Sequence, residues 1–139
     1  MHNALNIETL RIPSQTSELE RVDTITEQIA RDMGFDEGAR ADLGICVTEA
    51  VNNAIVHAHK LKAELFVDIR FEIYRDELRI VVRDYGGGFN AGELPDPTSP
   101  ENILKVNGRG IHLIHALMDE VEIHPLEIGM EVAMIKRKH

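Results

Sequence analysis

Hydrophobic positions recur along this chain with two different periods, and the expected elements change where the period changes. Leu5 to Ile12 reads as a short strand, and Pro13-Ser14-Gln15-Thr16-Ser17 breaks it with residues suited to capping a helix. Leu19, Val22, Ile25, Ile29 and Met33 fall at helical spacing, and Gly34-Phe35-Asp36 ends that helix. Asp36 or Gly38 starts a longer helix expected to run to about Leu61, with Leu43, Val47, Ala50, Val51, Ala54, Ala58 and Leu61 as its core side. Leu65 to Tyr74 alternates, Arg75-Asp76-Glu77 turns, and Leu78 to Arg83 alternates again up to Asp84, which predicts an antiparallel hairpin. Phe89 to Val106 has little periodicity and carries Gly92, Pro95, Pro97 and Pro100. A short helix from Gly110 to Leu117 and strands at Glu120–His124 and Glu131–Arg137 close the pattern. The sum is an α+β fold in one domain over 1–139, a two-layer α/β sandwich whose mixed, mostly antiparallel sheet is covered on one face by helices.

Three polar groupings interrupt this apolar frame. Glu49, Asn53 and His57 stand four residues apart in the long helix, so at about 100° per residue they form one stripe along the edge of its core side. Such a stripe can supply a general base and an oxygen ligand for a hard cation such as Mg²⁺, or it can be only the solvated flank of the helix. Asp84-Tyr85-Gly86-Gly87-Gly88-Phe89 follows the second hairpin strand. It puts a carboxylate on rigid support beside a backbone that a ligand can approach, where it can accept from an exocyclic amine such as that of adenine, unless the glycines merely make a turn. In Asn107-Gly108-Arg109-Gly110 a polar stretch gives way to a helix. Bare backbone N–H groups and the helix dipole can hold an anion there, though a lone Gly-x-Gly also occurs in ordinary turns. No Walker A pattern, no dinucleotide-binding Gly-x-Gly-x-x-Gly after a first strand and no eukaryotic-type protein kinase signature is present.

Taken in order, Glu-x-x-x-Asn on a helix, Asp-x-Gly-x-Gly after a strand and Gly-x-Gly opening a helix resemble the N, G1 and G2 boxes of the GHKL ATPase superfamily, with its Bergerat-type fold. Within it the chain looks most like the bacterial anti-sigma-factor serine kinases, from the strand near Ile7 to Lys138. The likeness includes Thr48-Glu49-Ala50-Val51, Arg83-Asp84 and Gly110-Ile-His-Leu-Ile-His-Ala-Leu-Met-Asp119-Glu-Val121.

The resemblance implies transfer of phosphate from ATP to a serine or threonine of a protein. Glu49 would be the catalytic base, and Asn53 the Mg²⁺ ligand. Asp84 would read the adenine amine, while Gly86 and Gly88 let base and sugar approach. Gly108, Arg109 and Gly110 would contact the phosphates, the segment at about 89–107 would be the ATP lid, and His57 would touch the nucleotide. Implied partners are a sigma factor and a STAS-type anti-anti-sigma protein, with the kinase itself a homodimer. Two departures accompany the match. Val106 and Asn107 stand where many relatives carry an arginine, leaving Lys105 or Arg109 to substitute, and Gly129-Met130 stands where relatives often have Gly-Thr. A glutamate in this place can alternatively activate water. The rival reading from another class is a non-catalytic nucleotide-binding module that sequesters a regulatory protein. A histidine kinase is disfavoured, because only a short strand and one helix precede the long helix.

Composition narrows the remaining choices. With 139 residues and 43% hydrophobic content the chain can build one ordinary core. A formal charge of −9 argues against direct nucleic-acid binding. The absence of a signal peptide and of a long apolar run predicts a cytoplasmic protein with no membrane contact. The single Cys46, between Ile45 and Val47, reads as a buried structural thiol. The seven histidines do not suggest a metal set: His57 and His59 point different ways on a helix, and His112 and His115 read as partly packed. The basic end Lys136-Arg137-Lys138-His139 reads as a solvated strand end.

Overall fold

The computed structural model describes residues 4–60, 62, 64–86 and 110–138. Its elements in chain order are β1 (Asn6–Pro13), a 3-10 turn (Thr16–Glu18), α1 (Leu19–Met33), α2 (Glu37–Asn53), a π-helical turn (Ala54–Ala58), β2 (Phe66–Ile73), β3 (Glu77–Asp84), α3 (Gly110–Leu117), β4 (Glu120–Pro125) and β5 (Met130–Arg137). The five strands make one sheet in the order β1-β2-β3-β5-β4. Every described pairing is antiparallel, so the mixed sheet expected from sequence is antiparallel throughout the described residues.

Local chemistry sets the junction between α1 and α2 where the sequence places it. Gly34 takes the left-handed conformation at φ 86°, and its N–H reaches back to the carbonyls of α1. Asp36 caps α2, its Oδ1 accepting from the Ala39 N–H at 2.8 Å. Alternation then sorts the strands. Val67, Ile69, Phe71, Leu78, Ile80, Val82, Val132 and Met134 join Val22, Ile29, Leu43, Val47 and Val51 of the helices in one core. Each such side chain contributes about 2 kcal/mol by leaving water. Cys46 lies in this core, fully buried, and burial, reinforced by the nearby Asp42 charge, pushes its thiol up to about 12. The expected inert thiol is what the fold contains.

The other face of the sheet carries no helix among the described residues and is covered by its own charged side chains. Arg11 holds Asp68 through two hydrogen bonds of 2.7 and 2.9 Å, and Tyr85 donates its hydroxyl to the same carboxylate. Glu72 accepts from Arg70, Tyr74 and Arg79. Beneath these long chains Val81, Ala133 and Ile135 are buried, although they lie outside the core cluster on the helix side.

The basic end of the chain departs from expectation. Lys136 Nζ donates to the Leu117 carbonyl at 2.7 Å, and Lys138 Nζ donates to the Met33 carbonyl at 2.9 Å. Both lysines thus satisfy the exposed last carbonyls of α3 and α1, with a charge of the sign those helix ends favour. They are helix caps rather than a solvated tail; His139 lies outside the described residues.

Candidate functional site

The long helix is the first of the functional elements, and it is not uniform. It is α-helical only to Asn53, and from Ala54 to Ala58 it widens to a π turn, sealed by the His59 N–H donating to the Ala54 carbonyl at 2.8 Å. A π turn superposes residues five apart instead of four. The Glu49, Asn53, His57 stripe therefore breaks after its second member. Asn53 is buried, at 7% exposure, and Glu49 is half-buried one α turn before it, but His57 is exposed and leaves the stripe. The wider turn leaves His57 exposed on the outside of the helix while Asn53 stays buried.

The same turn brings His59 inside. Its ring is 1% exposed, its Nε2 accepts the Tyr85 N–H at 2.8 Å, and its Nδ1 lies 3.1 Å from Ser14 Oγ. Burial lowers its pKa, so the ring is neutral at physiological pH. Nothing in the spacing marks His59 as a buried, hydrogen-bonded group. An i+4 and an i+5 stripe differ by one residue, and in Ala54-Ile55-Val56-His57-Ala58 the apolar residues leave the register unmarked.

Asp84 ends β3 as predicted, opposite Met130 in the ladder with β5. It is 7% exposed, and burial raises its pKa to about 6, against the lowering effect of backbone hydrogen bonds from Gly86 and Met130. The Gly86 N–H donates to Asp84 Oδ1 at 3.2 Å. No salt bridge reaches this carboxylate among the described residues, and at pH 7 it is an anion held mainly by N–H dipoles.

Two glycines around Asp84 are required by the protein itself. A Cβ on Gly86 would sit 2.2 Å from the Ala58 carbonyl oxygen, so the chain leaving β3 lies flush on the π turn. At Gly129, where φ is +83°, a Cβ would sit 2.0 Å from the Asp84 carbonyl oxygen. The expectation for Gly86 is room for an incoming base, and close packing against α2's extension already requires glycine there. Met130 lacks the hydroxyl expected at its position, yet its backbone still serves Asp84.

Glu49 and Asn53 thus stand in the last turns of α2, and Asp84 and Gly86 at the exit of β3, which lies against the π turn that extends α2. Asn53 has no side-chain hydrogen bond among the described residues. Gly110 opens α3, which packs Ile114 into the core. Gly88, Lys105, Gly108, Arg109 and the segment 89–107 expected to form a lid lie outside the described residues. Among those described, no helix is long and apolar enough to cross a membrane.

The model of the histidine kinase-like ATPase domain matches residues 12–136. Serine-protein kinase RsbW of Bacillus licheniformis is 37% identical, with 78% of this chain and 71% of that protein aligned. The proteins of the same name from Bacillus pumilus and Bacillus subtilis are 32% and 31% identical, each alignment covering 98% of this chain and 88% of the relative. Among solved structures, the RsbU and RsbW domains of a Mycobacterium tuberculosis protein superpose with a TM-score of 0.70 at 16% identity, over 95% of this chain and 32% of that one. The histidine kinase domain of a blue-light activated histidine kinase from Erythrobacter litoralis gives 0.53 at 19% identity, over 91% and 61%. At those identities the structural likeness concerns the fold alone. The family match and the relatives together show that the chain belongs to the histidine kinase-like ATPase domain family and, within it, to the RsbW-type serine-protein kinases.

Proposed function

We propose that the chain transfers the terminal phosphoryl group of ATP to a serine of an anti-anti-sigma partner of the STAS type, and that it holds a sigma factor inactive until that partner competes for it. The reading is carried by two polar side chains of low exposure, at the end of α2 and the exit of β3, that no other side chain hydrogen-bonds among the described residues. The burial that raises the Asp84 pKa penalises its charged form, and a bound amine would offset that penalty.

In this reading Asp84 accepts from the exocyclic amine of adenine, and the Gly86 N–H keeps its carboxylate aimed. Asn53 offers one neutral oxygen to Mg²⁺, a suitable share for an ion that keeps several waters and takes phosphate oxygens. When bound, that ion neutralises charge on the phosphates. Glu49 accepts the proton of the serine hydroxyl as the new bond from its oxygen to the γ-phosphorus forms and the bond to the β-phosphate oxygen breaks, releasing ADP. The start of α3 at Gly110, with Gly108, Arg109 and Lys105, supplies donors and positive charge to the phosphates. The kinase acts as a homodimer, with no direct role for nucleic acid, in the cytoplasm.

Calorimetric titration with ATP in the presence and absence of Mg²⁺ tests the site. Wild type and Glu49→Ala should bind, with Glu49→Ala unable to phosphorylate the partner, while Asn53→Ala and Asp84→Asn should bind weakly or not at all. A wild-type chain that ignores ATP would overturn the kinase reading in favour of sequestration without chemistry. Light scattering that finds a monomer still able to bind a sigma factor would remove the dimer.

A further inference from the structure

The buried His59 is the polar group at this site that the proposed chemistry leaves unused, and its connections are unusually complete. Because the Tyr85 N–H points at Nε2 from 2.8 Å, that nitrogen is the acceptor. The ring proton therefore sits on Nδ1 and is donated to Ser14 Oγ, 3.1 Å away. Ser14 is itself anchored, 1% exposed, with its N–H donating to the Leu65 carbonyl at 2.9 Å. One side chain thereby ties the end of β1 and the π turn to the first peptide beyond β3.

That peptide joins Asp84 to Tyr85. Its N–H is fixed by His59, the next N–H is fixed by the Asp84 carboxylate, and Gly86 rests on the Ala58 carbonyl. The residue ahead of the peptide is the one whose carboxylate would meet the base. We infer that His59 is a positioning residue for base recognition: by accepting the Tyr85 N–H it sets the orientation of the Asp84–Gly86 segment, and so how well Asp84 meets an exocyclic amine. This rests on the reading of Asp84 as the adenine acceptor. A histidine that only fills the core would support ATP binding through stability alone and would be indifferent to the base.

Inosine triphosphate separates the two cases, since it keeps the sugar and triphosphate but has an oxygen where adenine has its amine. Equilibrium binding of ATP and of inosine triphosphate is measured on the full chain for wild type, His59→Phe, His59→Gln, Ser14→Ala and Asp84→Asn. Phe keeps the ring volume without an acceptor, whereas the Gln amide can both accept from Tyr85 and donate to Ser14. His59→Phe should weaken ATP about tenfold, leave inosine triphosphate within about twofold, and so erase the preference for adenine, with His59→Gln restoring most of it. An unchanged preference in His59→Phe, an equal loss for both nucleotides, or no rescue by Gln would overturn the inference. Should His59→Phe fail to fold, Ser14→Ala decides: a preference reduced about threefold supports the positioning role, and an unaltered one rejects it. If Asp84→Asn keeps the adenine preference, the Asp84 reading fails and this inference with it. If Asp84→Asn loses the preference while the His59 and Ser14 variants keep it, the inference about His59 fails alone.

Discussion

Asp84 and Glu72 are both buried carboxylates, at 7% and 8% exposure, yet they lie on opposite faces of the sheet and are treated in opposite ways. Glu72 faces the charged side, where burial works to raise its pKa but hydrogen bonds from Arg70, Tyr74 and Arg79 hold it below the ordinary value. Asp84 faces the helix side, where burial dominates and is opposed by backbone N–H groups of Gly86 and Met130 and, least of all, by the Arg83 charge, so its pKa rises to about 6. Guanidinium groups hydrogen-bond Glu72, and among the described residues none hydrogen-bonds Asp84. A carboxylate compensated within the fold serves stability; one left exposed to its own desolvation penalty is available to a ligand.

The largest test of this contrast is a pair of isosteric changes. Asp84→Asn should lower ATP affinity about 100-fold, since the amine would lose a charged acceptor and meet an amide of uncertain orientation. Glu72→Gln should leave ATP affinity within about twofold but lower unfolding free energy by about 1–2 kcal/mol, because the partly exposed arginines lose their counter-charge. Equal effects of the two changes on nucleotide binding would erase the distinction.

A second test reads the two groups through pH. Between about pH 4 and pH 6 native Asp84 keeps a proton that the unfolded chain has released, so its ionisation makes the fold less stable as pH rises, by up to about 3 kcal/mol. Glu72 works the other way: native Glu72 gives up its proton first, so its contribution is full above the ordinary glutamate pKa and is lost as pH falls through the lowered value. In urea unfolding from pH 3.5 to 7.5, Asp84→Asn should gain on wild type as pH rises through its window, and Glu72→Gln should fall behind. Parallel curves would mean that the two environments are alike.

The finest expected effect is that of Tyr74→Phe. It removes the 2.9 Å hydrogen bond from Tyr74 to Glu72 and should cost about 0.5–1 kcal/mol with no change in ATP binding. His57→Ala complements it on the helix side. With His57 exposed beyond the π turn, stability should stay within about 0.5 kcal/mol and ATP affinity should be unaffected.

The parts of this fold that local rules govern could be read from the sequence. Alternation through Val67–Phe71 and Leu78–Val82 marked the hairpin, Gly34 and Asp36 marked the helix junction, and the spacing of Glu49, Asn53 and Asp84 marked the candidate site. Features produced by meetings of distant segments could not be read. The π turn depends on how the end of α2 meets the exit of β3 at Gly86. The burial of Glu72 depends on Arg70, Tyr74 and Arg79 lying over it from two strands. Lys136 and Lys138 looked like solvent-facing charge because the carbonyls they cap, Leu117 and Met33, are 19 and 105 residues away.

The strand order gives the site a history within each folding event. β1, β2 and β3 are neighbours in chain order, but β5 lies between β3 and β4, so the β4-β5 hairpin joins the rest of the sheet through β5 alone. That docking sets Met130 opposite Asp84 and presses Gly129 against its carbonyl. A chain stalled before this step has a helix-backed meander but an unfinished acceptor. Nucleotide that binds only the completed site therefore draws the docking to completion by mass action, and occupancy becomes a report that the whole sheet has closed.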